Sequence, residues 1–197
     1  MDFIKKTGVI LCGGKSRRMG IDKGSLIIKN KMFISYAIDA LEKFEEIILA
    51  TDRIERHDYL EIVSKEKERI KIIEDIYPEK GPISGIYTAM KSAKYDMVVI
   101  ACDMPFISRN LTENIAGRLD ESDEKYNVIL FSDKRIQPLC SGYRKIYKDE
   151  INRCIMENKL SLADFIKNNK YILFEETNKT YVKNINYPEE YRKLDGR

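Results

Sequence analysis

The chain has 197 residues, of which 43% are hydrophobic and 34% charged, and its formal net charge is +3. This length predicts one domain with a sizeable core, and the apolar fraction excludes a disordered chain. Because basic and acidic residues are interspersed, the small positive charge does not favour nucleic-acid binding, and we expect no nucleic-acid partner.

Five short apolar runs are predicted to be buried strands, at residues 8–12, 47–50, 70–73, 97–101 and 128–131. They lack the two-residue alternation of a half-solvated strand and are typical of strands that are covered on both faces, as in a parallel sheet. Between them, apolar residues at helical spacing predict three helices. The helix faces are marked by Ile34, Ala37, Ile38 and Leu41, by Ile83, Ile86, Tyr87 and Met90, and by Leu111, Ile115 and Leu119.

The pattern changes after residue 132, where a segment at 137–143 precedes predicted helices near 145–157 and 161–168 and a late strand near 171–174. The alternation of strand and helix before that point predicts an α/β fold with a doubly wound, mostly parallel sheet. We expect a single domain over residues 1–197. Ligands of such sheets bind beyond the carboxyl ends of the strands, so functional residues should follow strands.

The rarer residue types narrow the function further. The one histidine, His57, excludes a histidine-rich zinc site, and no two of the four cysteines form a C-x-x-C pair. Free thiols are therefore expected, as in a cytoplasmic protein. The apolar run near the N-terminus is too short for a signal peptide, and no apolar stretch approaches the length of a membrane span. We expect a soluble, cytoplasmic protein with no membrane partner.

The loop after the first predicted strand is the most unusual segment. Residues 11–23 have the sequence LCGGKSRRMGIDK, with three glycines and four basic residues. Glycines let backbone N–H groups approach a ligand, and cations add charge where phosphate oxygens would lie, so the loop predicts a cradle for a polyphosphate rather than a solvated surface loop. Its glycine spacing matches neither a P-loop nor the G-x-G-x-x-G dinucleotide fingerprint.

This loop resembles the signature L-x-G-G-x-S-x-R-M-G-x-D-K of the molybdenum cofactor guanylyltransferases. The resemblance implies a Rossmann-like, doubly wound fold of the nucleotide-diphospho-sugar transferase type. It also implies that Arg18 and Lys23 act on a bound triphosphate. The residues of this segment that it places in contact with GTP are Leu11, Cys12, Gly13, Gly14 and Lys23.

Two further segments continue the resemblance on the nucleotide side. Asp75 ends the third predicted strand, where an acid either accepts hydrogen bonds from a guanine edge or a ribose, or caps a turn; the resemblance implies nucleotide binding. Residues 81–85 (GPISG) resemble the family's G-P-L-x-G segment. Gly81 suits the sharp turn before Pro82. Gly85 costs a helix roughly 1 kcal/mol relative to Ala, which indicates that a ligand or a strand approaches closely. The resemblance implies that Gly81 and Gly85 contact GTP.

Asp103 follows the fourth predicted strand, in a segment that resembles the family's C-D-x-P. A carboxylate here could hold Mg²⁺ against the triphosphate, because Mg²⁺ needs only one or two protein carboxylates beside phosphates and waters. An ordinary Asp-x-Pro turn is the alternative. The resemblance implies that Asp103 is catalytic, contacts GTP and binds Mg²⁺.

The acceptor side is suggested by two looser matches. Ser141 lies in the segment 137–143, which resembles the part of the family that meets the acceptor. Residues 184–190 (NINYPEE) resemble N-x-N-T-P-E-E, with Tyr187 in place of threonine. Asn184 and Asn186 would point the same way in an extended segment, and the resemblance implies acceptor or metal binding. Alternatively, Asn186 belongs to the cap of the following helix.

Taken over residues 8–190, the resemblance implies that GMP passes from GTP to molybdenum-bound molybdopterin, giving the guanine dinucleotide cofactor and pyrophosphate. The acceptor phosphate is already ionised, so no protein base is required, and catalysis reduces to positioning and charge neutralisation. The implied cofactor is Mg²⁺, and the implied partners are GTP, molybdopterin and a molybdenum-insertion protein that delivers it. We expect a monomer.

Three other functions remain open at this stage. A molybdopterin cytidylyltransferase or a sugar-phosphate nucleotidyltransferase would use the same chemistry with another base or acceptor, although cytidylyltransferases resemble L-A-A-G at the first loop. A non-catalytic GTP-binding module would retain the fold without the reaction.

Overall fold

The computed structural model describes residues 3–12, 23–52, 59–60 and 69–195. Its strands are β1 (Ile4–Leu11), β2 (Ile27–Ile28), β3 (Lys31–Met32), β4 (Phe44–Thr51), β5 (Ile70–Glu74), β6 (Met97–Ala101), β7 (Asn127–Ser132), β8 (Arg135–Ile136), β9 (Cys140–Tyr143) and β10 (Tyr171–Glu175). Its helices are α1 (Phe33–Ala40), α2 (Pro82–Ser92), α3 (Arg109–Glu121), α4 (Lys148–Met156), α5 (Leu162–Lys167) and α6 (Pro188–Asp195). Short 3₁₀ turns lie at Lys145–Tyr147 and Lys179–Val182.

The central sheet has the strand order β10-β7-β9-β6-β1-β4-β5, with β8 beside β7. The neighbours β5, β4, β1 and β6 are parallel, and β7 is parallel to β10. Only one of the inner strands, β9, is antiparallel to both its neighbours, β6 and β7. The strands β6 and β7 therefore run in the same direction, and the last residues of six strands lie along one side of the sheet, here called the carboxyl edge.

The predicted fold class is confirmed, and the five predicted apolar runs coincide with strands of this sheet, except that Cys12 lies one residue past the end of β1. The interpretation of residues 137–143 was incomplete, because β9 forms within them. Its sequence, CSGY, has no apolar run, yet all four residues are buried between β6 and β7. A strand so short is specified by its two neighbours rather than by its own pattern.

The consecutive apolar residues of the strands are explained by two helical layers. On β6, Val98 and Ile100 pack into the hydrophobic cluster formed with α1 and α3, whereas Met97 and Val99 pack into the cluster formed with α2, α4 and α5. Adjacent residues of a strand point to opposite faces, so a sheet covered on both faces needs an apolar residue at every position. No helix within the described ranges is long and apolar enough to cross a membrane.

The helix α2, which borders the carboxyl edge, begins with a backbone turn that only glycine adopts readily. Gly81 has φ of 76° and ψ of −168°, and Pro82 follows at the first helical position. An added Cβ at Gly81 would meet no atom within 4 Å, so backbone conformation rather than space requires the glycine. Gly117 in the middle of α3 likewise has open space at its Cβ position, but it lacks a positive φ.

The opposite edge of the sheet is held by a buried carboxylate. Glu46 of β4 is 2% exposed. Its Oε2 accepts hydrogen bonds from Thr7 Oγ1 at 2.7 Å and from the backbone N–H of Lys94 at 2.8 Å, and its Oε1 is 2.6 Å from Lys71 Nζ. Burial raises the pKa of Glu46, but the hydrogen bonds from Lys71, Lys94 and Thr7 outweigh it, and the pKa lies below its ordinary value of 4.5.

Glu46 should make the stability of the protein depend on pH. Because its pKa is lower in the folded chain than in the unfolded chain, its contribution is complete above about pH 4.5 and is lost as the pH falls through the folded-state pKa. At pH 7, Glu46→Gln should cost about 1–3 kcal/mol, since the hydrogen bonds of a charged acceptor are lost. The difference in thermal midpoint between wild type and Glu46→Gln should shrink between pH 7 and pH 3.

The control Glu121→Gln changes a carboxylate that is 71% exposed and should show little difference at either pH. A constant gap for Glu46→Gln would contradict the assignment.

Two glycine-to-alanine substitutions should have opposite effects. Gly81→Ala forces a side chain into a positive-φ conformation and should destabilise the protein by about 1–3 kcal/mol. Gly117→Ala, in open space within α3, should stabilise it by about 1 kcal/mol through helix propensity. Thermal unfolding should then show a decrease for the first and an increase of about 2–4 °C for the second. Equal effects at the two positions would show that the turn at Gly81 is not strained by a side chain.

Candidate active site

Backbone hydrogen bonds extend the parallel ladder past the ends of the strands at the carboxyl edge. The N–H of Cys12 donates to Ala50 O at 2.7 Å, that of Cys102 to Leu11 O at 3.2 Å, and that of Asp75 to Thr51 O at 2.9 Å. The segments that follow β6 and β1 are therefore adjacent at their first residues, and the segment that follows β5 starts one strand further along, beside β4. This is the place where the sequence predicted functional residues.

Leu11 and Cys12 reach this edge as core residues. They are 8% and 3% exposed, and their side chains pack in the two sheet-covering clusters. A ligand at the carboxyl edge would therefore meet their backbone rather than their side chains. The other residues predicted in this loop, Gly13, Gly14 and Arg18, lie outside the described residues.

Asp103, Lys23 and Asn186 meet at the carboxyl edge. Lys23 Nζ is 2.8 Å from Asp103 Oδ2 and 2.5 Å from Asn186 Oδ1. Since an ammonium group only donates hydrogen bonds, the amide atom that it contacts must be the oxygen. The fold thus joins residues that are 80 and 163 positions apart in sequence around one cation.

Residues 184–187, here called the C-terminal segment, reach Asp103 through their backbone. The N–H of Ile185 donates to the carbonyl oxygen of Asp103 at 2.9 Å, between Asn184 and Asn186. The side chain of Ile185 is fully buried in a small apolar cluster, here called the hairpin cluster, whose other buried members lie in or next to the β2–β3 hairpin. Those members are Leu26, Ile28 and Phe33.

Two side chains of α6 strengthen this attachment, and the sequence did not identify either as part of the site. Glu190 Oε2 accepts the backbone N–H of Asn186 at 2.8 Å and that of Tyr187 at 3.1 Å. Tyr191 donates its hydroxyl to Ile27 O at 2.7 Å. The Glu190 contacts are the acidic half of a capping box, so the family-like P-E-E pattern could have indicated the cap. The Tyr191 contact depends on tertiary packing and has no sequence signal.

Two buried oxygen atoms of this region lack hydrogen-bond partners among the described residues, Asp103 Oδ1 and Asn184 Oδ1. Buried acceptors without a partner are uncommon, and such oxygens are suited to bind a cation or a water. Within the described ranges, no group of three or more His, Cys, Asp or Glu residues could hold a metal. One carboxylate with amide oxygens suits Mg²⁺, which takes its remaining ligands from phosphates and water. The donor set therefore fits this ion.

Asp75 is fixed from one side by helix α2. Its Oδ1 accepts hydrogen bonds from the hydroxyl of Ser84, from Thr88 Oγ1 at 3.1 Å and from the backbone N–H of Tyr77 at 3.1 Å. The turn-capping alternative is therefore present in the structure. Asp75 Oδ2 makes no hydrogen bond to the described residues, so this oxygen can still accept one from a ligand.

The two glycines of the segment 81–85 have different structural roles. Gly81 provides the positive-φ turn before α2. Gly85 lies where α2 crosses β1, and an added Cβ would be 3.0 Å from Leu11 Cδ2. Of the two alternatives that the sequence left open for Gly85, close approach of a strand is the one that the structure contains.

The structure does not bring Ser141 to the carboxyl edge as a ligand-facing group. Ser141 is fully buried in β9. Its Oγ accepts the N–H of Leu130 at 3.1 Å and donates to Gln137 O at 2.7 Å. Both hydrogen-bonding roles of the hydroxyl are thus used within the sheet, which accounts for a polar residue at this position.

Comparisons with known proteins identify the family of the chain. The family model described as the MobA-like NTP transferase domain matches residues 8–171. The "probable molybdenum cofactor guanylyltransferase" of Clostridium perfringens (strain SM101) is 37% identical over 204 aligned positions, which cover 98% of this chain and 97% of that protein. The relative of the same name from Flavobacterium johnsoniae is 30% identical, with 96% of each chain covered.

Solved structures support the same fold. Molybdopterin-guanine dinucleotide biosynthesis protein A from Archaeoglobus fulgidus has a TM-score of 0.74 at 22% identity, covering 96% of this chain and 97% of that chain. A 4-diphosphocytidyl-2C-methyl-D-erythritol synthase from Anaerococcus prevotii also has a TM-score of 0.74, at 12% identity, covering 99% and 95%. At these identities the likeness concerns the fold alone. The family match and the full-length relatives confirm the resemblance seen in the sequence, and the chain belongs to the family of MobA-like NTP transferases.

Proposed function

We propose that this protein is a molybdenum cofactor guanylyltransferase, which transfers GMP from GTP to molybdopterin and releases pyrophosphate. The contact of Lys23 with Asp103 and Asn186 carries the proposal, because it gathers a cation, a carboxylate and an amide at the edge of the sheet where ligands of this fold class bind. Relatives of that name at up to 37% identity over nearly the whole chain support the substrate assignment. The protein would act as a single-domain monomer, and a molybdenum-insertion protein would supply the acceptor.

The triphosphate would be bound by the loop after β1 and by Lys23. Backbone N–H groups of Gly13 and Gly14 would donate to phosphate oxygens, and the cation of Arg18 would balance their charge. Leu11 and Cys12 would contribute backbone contacts, because their side chains belong to the core. Lys23 has a side chain that is 20% exposed, so it can exchange its present oxygen partners for phosphate oxygens.

Asp103 would hold Mg²⁺ through its carboxylate, helped by the amide oxygens of Asn184 and Asn186. When bound, Mg²⁺ would withdraw charge from the α-phosphate and from the departing pyrophosphate. The same two asparagines lie beside Asp103 on the C-terminal segment and could also contact the acceptor. Ser141 is not included in the acceptor site that we propose, because its hydroxyl is buried and fully used.

The chemical step needs no general base. A phosphate oxygen of molybdopterin attacks the α-phosphorus of GTP, the new P–O bond forms, and the bond to the pyrophosphate oxygen breaks with its electron pair. The nucleophile enters already ionised, and pyrophosphate leaves as an anion. The residues of the chain therefore contribute by holding the two phosphates in line and by neutralising charge.

The nucleobase of GTP would be selected by Asp75, which neighbouring groups hold in place. Guanine presents N–H donors on its pairing edge, and a carboxylate oxygen is a suitable acceptor. Ser84, Thr88 and the Tyr77 N–H hold Asp75 Oδ1 in place, which leaves Oδ2 for the nucleotide. Gly81 would allow the nucleotide to approach the start of α2, whereas Gly85 serves the packing of α2 on β1.

The choice of nucleotide can be tested by thermal unfolding with Mg²⁺ and each of GTP, ATP, CTP and UTP. A nucleotide at about one hundred times its dissociation constant should stabilise the folded protein by roughly 2.7 kcal/mol. Of the four nucleotides, we expect only GTP to raise the thermal midpoint, and we expect a smaller rise in Asp103→Ala. A shift with CTP or UTP instead of GTP would indicate that the protein transfers a cytidylyl or uridylyl group. No shift with any of the four nucleotides would contradict the proposal.

Lys23→Ala should impair turnover in a protein that still folds, although its thermal midpoint should fall because the buried carboxylate of Asp103 loses its cation. Loss of one preorganised charge donor lowers turnover by roughly a hundredfold to a thousandfold in comparable sites. The measurement is pyrophosphate release with GTP, Mg²⁺ and molybdopterin, alongside the thermal midpoint. Lys31→Ala is the matched control, since Lys31 pairs with Asp39 on the surface, away from Asp103. Unchanged turnover in Lys23→Ala would remove Lys23 from the reaction.

A further inference from the structure

Lys23 stands between two oxygens that the proposed reaction assigns to a metal. Its ammonium nitrogen contacts Asp103 Oδ2 at 2.8 Å and Asn186 Oδ1 at 2.5 Å. Asp103 is only 7% exposed, so its charge needs compensation from a nearby cation. In the free protein that cation is Lys23, whereas the reaction needs the same lysine on the triphosphate.

We propose that Lys23 is a placeholder cation, which fills the divalent-cation site of the free protein and leaves it when a nucleotide arrives. This inference rests on the proposed function, because it takes Asp103 and Asn186 as metal-holding residues. Its consequence is an order of binding: the free protein binds a divalent cation poorly, and the nucleotide opens the site.

The competition follows from the chemistry of the oxygens. A divalent cation bound by Asp103 and Asn186 competes with the ammonium for Asp103 Oδ2 and Asn186 Oδ1. On Asp103 Oδ1 alone it would still lie next to the charge of Lys23. A divalent ion that enters first must break the charge-assisted contacts of Lys23 and accept a second positive charge nearby. Triphosphate oxygens offer Lys23 an equally strong anionic partner, so their arrival removes this cost.

The remaining oxygens of the site support this order. Asp103 Oδ1 and Asn184 Oδ1 are buried and have no partner among the described residues. Lys23 thus donates to Asp103 Oδ2, whereas Asp103 Oδ1 has no partner among the described residues and can accept a metal. By thermodynamic reciprocity, a nucleotide that tightens metal binding by drawing Lys23 away must itself bind more tightly, by the same factor, when the metal is present.

The test is the binding of Mn²⁺ to the purified protein without nucleotide or acceptor, followed by the electron paramagnetic resonance signal of free Mn²⁺. Lys23→Met removes the placeholder and should bind Mn²⁺ roughly tenfold to hundredfold more tightly than wild type, since one charged hydrogen-bonding partner is released. Lys23→Arg keeps a cation and should remain weak. The double variant Lys23→Met, Asp103→Asn should lose the gain.

Lys183→Met provides the matched control for charge alone. Lys183 is exposed and adjoins Asn184 in sequence, and its substitution removes the same charge without removing a contact to Asp103. We expect a change of no more than about twofold, as for a screened surface charge. If Lys183→Met tightened Mn²⁺ binding as much as Lys23→Met, or if Lys23→Met bound no better than wild type, the placeholder role would be overturned.

The thermal midpoint of each variant establishes that it is folded, and Lys23→Gln repeats the neutral substitution should the methionine variant not fold. The two proposals fail separately. A tighter Mn²⁺ site in Lys23→Met without any GTP-dependent stabilisation of wild type would retain the placeholder and reject the guanylyltransferase. If GTP stabilises wild type but Lys23→Met binds Mn²⁺ no more tightly than wild type, only the placeholder role is rejected.

Discussion

The structure of the candidate site depends on the compensation of one buried negative charge. Asp103 lies at the end of β6, where its carboxylate is almost completely removed from water. An uncompensated carboxylate in such a place would cost several kcal/mol. Lys23 supplies the opposite charge, and Asn186 shares the lysine. The positions of the β2–β3 hairpin and of the C-terminal segment are both tied to this requirement.

A comparison of two buried carboxylates separates stability from function. Glu46, at the opposite edge of the sheet, accepts hydrogen bonds from Thr7, Lys71 and the backbone of Lys94, so both of its oxygens are used. Asp103 has one oxygen bound by Lys23 and one without a partner among the described residues. The first arrangement is complete and stabilises the fold. The second is incomplete, as expected of a group that still has a ligand to bind.

Much of the fold followed from local sequence. The apolar runs predicted the inner strands because a sheet covered on both faces needs an apolar residue at every position. The loop motif, Asp75 and Asp103 were found because functional residues of such a sheet follow its strands. The strand predictions are confirmed because pattern and structure are linked there within a few residues, whereas the roles of the loop, Asp75 and Asp103 stay predictions.

The remaining features depend on long-range packing. Ser141 looked like an acceptor residue, but the register of β9 between β6 and β7 buries its hydroxyl against Gln137 and Leu130. Gly85 was ambiguous because only the crossing of α2 over Leu11 shows what approaches it. Glu190 contributes through a cap whose value for the site becomes visible only once Asn186 is next to Lys23.

The C-terminal segment gives the site a part that can open at lower cost than the sheet. Asn184 and Asn186 depend on the hairpin cluster, which has four buried residues, whereas the strands behind Asp103 belong to two far larger clusters. Local opening is favoured where few apolar contacts must be broken. Because Lys23 lies four residues before β2 of the same hairpin, Lys23 and Asn186 can both adjust while β6 remains fixed. A rigid carboxylate flanked by adjustable partners allows two cations to use the same oxygens in turn.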